Sequence, residues 1–141
     1  LKFEGGFKSW YKSKKLVSIC TLCTLLLCMV IPTAFAVEVT STATVDFGSK
    51  DPVNGGARML YALPLSGKVC ANKPITGSLT GEIWTKGAMI SRLRTSASAN
   101  ANASPFIMFW DNPNQESGTF WARCYAPEGN QAGYCSVWQN Q

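Results

Sequence analysis

The chain has 141 residues, carries 13 Lys and Arg against 8 Asp and Glu, and contains no histidine. That length allows one domain at most. Without histidine there is no Ser-His-Asp or Cys-His nucleophile system, no His-ligated zinc and no ordinary proton shuttle at neutral pH.

The first quarter does not look like part of a fold. Lys12, Lys14 and Lys15 precede the apolar run LVSICTLCTLLLCMVI (16–31), followed by Pro32 and Thr33-Ala34-Phe35-Ala36. A positive flank, an apolar stretch and a small-x-small ending are the parts of a secretory signal peptide. Residues 1–36 are therefore expected to be a signal cleaved after Ala36, and residues 37–141 a single secreted β-domain. The alternative is an uncleaved membrane anchor, since the uncharged run 16–37 is long enough to span a bilayer. Residues 1–36 hold five Lys and one Glu, so the remainder has a net charge of only +1. Its only basic pair is Arg92 and Arg94, and a nucleic-acid partner, which needs a basic patch, is set aside. Cys20, Cys23 and Cys28 lie in the leader. Cys70, Cys124 and Cys135 remain, an odd number in an oxidising compartment. One bridge and one further thiol are expected, giving a monomer or a disulfide-linked dimer.

From residue 37 onward the pattern is β. VEVTSTATVDF (37–47) alternates and is rich in Val and Thr, a strand. FGSKDPVNGG (47–56) is a turn cluster. ARMLYALPL (57–65) reads as an edge strand because of Pro64, and SGKVCA (66–71) as a short extended piece. SLTGEIWTKG (78–87) and AMISRLRTS (88–96) read as a hairpin through Lys86-Gly87. SASANANAS (96–104) has only small polar residues and reads as a mobile loop. PFIMFWD (105–111) is almost wholly apolar. GTFWARCYA (118–126) and GYCSVW (133–138) read as a second hairpin around PEGNQ. Short strands about every ten residues, with no helical period, predict an antiparallel β-sandwich of about seven to eight strands.

Alternate side chains of a strand point to opposite faces. Phe120, Ala122 and Cys124 then form a core stripe, with Thr119, Trp121, Arg123 and Tyr125 on the other face. On the last strand Cys135 and Val137 share one face, and Tyr134, Ser136 and Trp138 the other. Were residues 125 and 134 to face each other across a hairpin, Trp121, Arg123, Tyr125, Tyr134 and Trp138 would form one aromatic surface. Cys124 would then oppose Cys135 and could bridge to it. Exposed aromatic patches usually mark a partner. The other reading is that these rings are covered, or serve as cross-strand pairs.

Cys70, Trp84 and ESGTF ahead of Cys124 resemble the cysteine–tryptophan–cysteine spacing of immunoglobulin-like sandwiches, over residues 70–135. Phe120 stands four residues before Cys124, where that family places its aromatic two before. The chain also resembles small exported Gram-positive bacterial proteins of Ig-like build with no known activity. The resemblance implies a Cys70–Cys124 bridge between the sheets with Trp84 packed against it, an alternative to Cys124–Cys135.

Other chemistries are thinly supported. Asp111 and Glu116 in DNPNQE are the only close acidic pair in an aromatic setting, and the reading preferred here is two solvated loop charges. Asp46 and Asp51 offer too few oxygens for calcium. Ser66-Gly67-Lys68 lacks the rest of a phosphate loop. Arg92 and Arg94 read as charges on a solvated strand. No cofactor, metal or catalytic residue is expected. The expected function is a secreted, non-catalytic domain that binds an extracellular glycan or surface protein through its aromatic face. The alternative is a small antimicrobial or toxin-like effector acting on membranes. A membrane is otherwise expected to be met only through an uncleaved N-terminal segment.

Overall fold

The computed structural model describes residues 38–72 and 77–139. They belong to the second of two compact units, Ala36–Gln141. The leader, its cleavage site, its anchor alternative and Cys20, Cys23 and Cys28 lie outside the described residues. Among the described residues no helix is long and apolar enough to cross a membrane.

The described residues form nine strands: β1 (Thr40–Val45), β2 (Val53–Asn54), β3 (Arg58–Leu60), β4 (Leu65–Ala71), β5 (Leu79–Lys86), β6 (Ser91–Ala99), β7 (Phe106–Trp110), β8 (Gly118–Tyr125) and β9 (Gly133–Gln139). The first sheet has the order β1-β9-β4-β7 and the second β2-β8-β5-β6, with β3 also paired to β8. Every pairing is antiparallel.

The β-sandwich read from the strand spacing is therefore present, and its connectivity is distinctive. Counting β2 and β3 as one interrupted strand, the chain alternates between sheets at every connection except the β5–β6 hairpin. This is the order of a double-sheet jelly roll. Immunoglobulin sandwiches instead place their first, second, fifth and fourth strands together in one sheet.

The core lies between the sheets. Ala43, Val45, Leu65, Val69, Met108, Cys135 and Val137 face inward from the first sheet, and Leu79, Ile83, Phe120, Ala122 and Cys124 from the second. The period-2 burial of β1, β4 and β8 follows directly from this. Gly81 is a close-approach position. A Cβ there would strike the Val69 side chain and stand 2.9 Å from the Cys135 Sγ. Ser41 joins the layers, its buried hydroxyl accepting from the Ala122 amide at 3.0 Å. Buried Gln139 does similar work at one end. Its Nε2 donates to the Tyr61 carbonyl at 2.8 Å, and its Oε1 accepts from the Tyr61 amide at 3.3 Å.

Three local expectations change, and the placement of PFIMFWD is new. The expected hairpin of GTFWARCYA and GYCSVW does not form: β8 pairs with β5, β2 and β3, while β9 pairs with β1 and β4. PEGNQ is a crossing between sheets. SGKVCA is not a minor piece but part of β4, paired on both sides. SASANANAS is strand as far as Ala99, which is buried, because small residues fit opposite Leu79, Thr80 and Gly81. PFIMFWD forms an edge strand with Ile107 and Phe109 exposed.

Candidate binding face on the second sheet

The outer face of the second sheet is built from alternate residues of β8, β5 and β6. The register aligns Tyr125, Thr80 and Ser98 in one row. Arg123, Glu82 and Ser96 make the next, and Trp121, Trp84 and Leu93 the third. Trp84 and Trp121 are thus direct cross-strand neighbours. Their rings stack with centroids 6.2 Å apart and planes 17° from parallel. The Arg123 guanidinium carbon lies over the Trp84 ring, 5.3 Å from its centroid.

Glu82 organises these groups. It is 8% exposed, a carboxylate largely removed from water on the side of a sheet that faces solvent. The Trp84 indole nitrogen donates to its Oε2 at 2.6 Å. The Tyr125 hydroxyl donates to it and accepts from Thr80. Burial, then the negative charge of Glu82, pushes the Tyr125 phenol up from its ordinary value. Arg123 Nε lies 3.8 Å from the same oxygen, an ion pair beyond hydrogen-bond reach. Among the described residues that buried nitrogen has no hydrogen-bond partner. The face therefore presents two stacked indoles, that of Trp84 tied through its nitrogen to Glu82, beside a phenol and a guanidinium that still has donor capacity.

The five residues read as one surface separate into two groups. Trp121, Arg123 and Tyr125 stand on the second sheet. Tyr134 and Trp138 stand on the outer face of the first, because β9 belongs to the other layer. There Lys68 Nζ lies 5.8 Å from the Tyr134 ring centroid, and the Tyr134 hydroxyl bonds to Cys70, which raises its pKa. The sequence reading missed Glu82 and Trp84. Trp84 had been assigned to the core beside a bridge. The alternation of β5 puts it outside, and Ile83 takes the core position.

Among the described residues the three cysteines, Cys70, Cys124 and Cys135, are free thiols. Cys124 and Cys135 lie in the core on opposite sheets, so they are not hairpin neighbours. Gly81 is paired to Cys124 and its Cβ position is in contact range of Cys135. Burial pushes both thiols up to about 12. Cys70 lies on the outer face of the first sheet, opposite Tyr134, so it points away from Cys124 and does not meet it.

The acidic pair is also dissolved. Glu116 forms an ion pair with Arg94, whose side chain is only 13% exposed. Arg94 also donates from Nε to Thr85 Oγ1 at 2.7 Å and lies 4.5 Å from the Trp110 ring centroid. It is thus a tie at the β6–β7 side of the sandwich and not a solvated charge. Asn112 holds the loop around Glu116, accepting from its amide at 2.8 Å and donating to its carbonyl at 2.9 Å. Among the described residues no group of three His, Cys, Asp or Glu side chains is placed to hold a metal.

No protein-family model matches the chain, and no curated protein matches it. Similar solved structures include the Yersinia pseudotuberculosis-derived mitogen, at 8% identity and a TM-score of 0.47 over 74% of this chain and 86% of that one. PirA is similar at 10% identity and a TM-score of 0.43, over 78% of this chain and 99% of its own. A family two carbohydrate esterase from Cellvibrio japonicus is similar at 10% identity and a TM-score of 0.31. That match covers 73% of this chain and 35% of the esterase. These are distant likenesses among all-β folds, and they carry no conclusion about activity.

Proposed function

We propose that the chain is an exported, non-catalytic binding module that recognises an extracellular glycan or surface protein through the outer face of its second sheet. The observation that carries this reading is the Trp84–Trp121 stack held from below by Glu82. An indole pair at the solvent-facing side of a sheet offers flat apolar area, and its fixed orientation lowers the ordering cost of binding. Arg123 and Tyr125 add a donor and a phenol beside the rings, the mixture that anchors interfaces. Export rests on the leader sequence 1–36. A disulfide between Cys124 and Cys135 would be compatible with that compartment and would have to span the core.

The test is depletion. The protein is mixed with washed bacterial cell wall, insoluble polysaccharides and intact cells, and what stays in solution is measured. Depletion by one matrix that is lost in Trp84→Ala and Trp121→Ala supports the reading. Depletion that survives both substitutions contradicts it.

A second reading, a membrane-acting effector, is favoured by the β5–β6 tip. Met89 is 89% exposed and Ile90 60%, between Lys86 and Arg92. An apolar tip with basic flanks suits an anionic interface. Dye leakage from anionic vesicles, lost in Met89→Ser, would support this reading over the first.

A further inference from the structure

A two-sheet sandwich has four edges, and an edge strand is a template for pairing with another chain unless something blocks it. Three edges here carry a device. Beside β1, Gly55 lies against the Thr42 carbonyl, with its Cβ position 2.7 Å from the oxygen, and Arg58 Nε bonds the Thr40 carbonyl at 2.9 Å. On the β8 side of the second sheet the edge is broken into β2, of two residues, and β3, of three. The edge strand β6 has a register break opposite Ile83 and Trp84 and carries Arg92 and Arg94.

The fourth edge, β7, has none of these. Its sequence FIMFW has no charge, no proline and no glycine, and its register with β4 runs unbroken from Phe106 to Trp110. Phe106 is 47% exposed, Ile107 61% and Phe109 57%. No described strand pairs with its outer side.

We propose that β7 is the surface through which two copies of this chain associate, β7 antiparallel to β7 about Met108. The pattern of the strand favours its own copy. Pairing about Met108 sets Phe106 against Trp110 of the second copy, and Ile107 against Phe109. Ile107 and Phe109 share the outer face of the sheet, so the two-fold axis creates two aromatic–β-branched cross-strand pairs, a favourable combination. Asp111 falls opposite Pro105 of the second copy, so no like charges meet. The contact is isologous and closed, joining two four-stranded sheets into one of eight. With only five residues on each side, it gives a dimer that forms with concentration and does not extend further.

The experiment is sedimentation velocity on the full chain under reducing conditions, over a hundredfold range of concentration. The wild type is compared with Ile107→Lys and Phe109→Lys. Both positions are exposed, so both variants keep the wild-type unfolding midpoint, which is checked by circular dichroism. The wild type is expected to shift from monomer to dimer while both variants remain monomeric throughout. Hydrogen exchange should show alternate amides of residues 106–110 becoming protected with concentration in the wild type only. A wild type that stays monomeric, or variants that associate as the wild type does, would overturn the proposal.

Discussion

The indole nitrogen of Trp84 donates to the Glu82 carboxylate at 2.6 Å, two residues back on the same strand. Because β5 alternates, both side chains stand on one face. The acid therefore fixes the ring that Trp121 stacks upon and Arg123 covers. A carboxylate so little exposed needs several partners to offset its lost hydration, and Trp84, Arg123 and Tyr125 around it are among the groups proposed to meet ligand.

Replacing Glu82 with Ala leaves the Trp84 and Tyr125 donors unpaired and Arg123 without its counter-charge. The expected cost is about 1–3 kcal/mol in urea unfolding. Tryptophan fluorescence should shift to the red as the rings loosen. Glu82→Gln keeps an acceptor for Trp84 and should lose less. Equal stability in all three proteins would contradict the organising role.

Ligand capture should separate the two sheets. Trp121→Ala and Trp84→Ala should abolish it, at least tenfold in affinity. Trp138→Ala should leave it unchanged, because β9 belongs to the other sheet. The depletion assay reads all three variants side by side.

Thiol chemistry should be one-sided. Cys70 is partly exposed, whereas Cys124 and Cys135 are fully buried. Among these three thiols of the reduced protein, an alkylating reagent at pH 8 should modify Cys70 alone until urea unfolds the domain. Mass spectrometry counts the adducts.

The buried thiols also set a pH dependence. In the unfolded chain they titrate near 9, and in the fold near 12, because burial disfavours the thiolate. A raised folded value means that this contribution is complete below pH 9 and is lost as pH rises toward 12. Over that window the fold holds up to two more protons than the unfolded chain. The unfolding constant should then rise by at most about a hundredfold per pH unit, and Cys124→Ala with Cys135→Ala should flatten the curve.

Gly81→Ala should destabilise the domain by roughly 1–3 kcal/mol through overpacking, measured by thermal unfolding, since its Cβ would collide with Val69 and crowd Cys135. Smaller Val69→Ala should relieve part of that loss in the double variant.

What the sequence made legible was local. The alternation of GTFWARCYA identified Phe120, Ala122 and Cys124 as core, and Trp121, Arg123 and Tyr125 as outer, correctly. The same rule divided β9 correctly into Cys135 and Val137 inside, Tyr134 and Trp138 outside. What it could not supply was which strand lies beside which. PEGNQ carries turn residues that serve a hairpin and a crossing between sheets equally well, so one assumed pairing merged two faces. Trp84 was misplaced for a related reason. A resemblance assigned it to the core, although strand parity with Ile83 already pointed the other way. Glu82 carried a weaker signal, an acid at an outward position two residues from a Trp, and its burial became visible only with Arg123 and Tyr125 across the ladder. Arg94 left no signal at all. Its inward turn comes from a bulge opposite Ile83 and Trp84.

The most direct test of the account is capture by cell wall, polysaccharide or intact cells, measured for the wild type, Trp121→Ala and Trp138→Ala together. The account predicts that one matrix depletes the wild type and Trp138→Ala equally and leaves Trp121→Ala in solution. Capture lost in Trp138→Ala and kept in Trp121→Ala would place the ligand on the first sheet and contradict it.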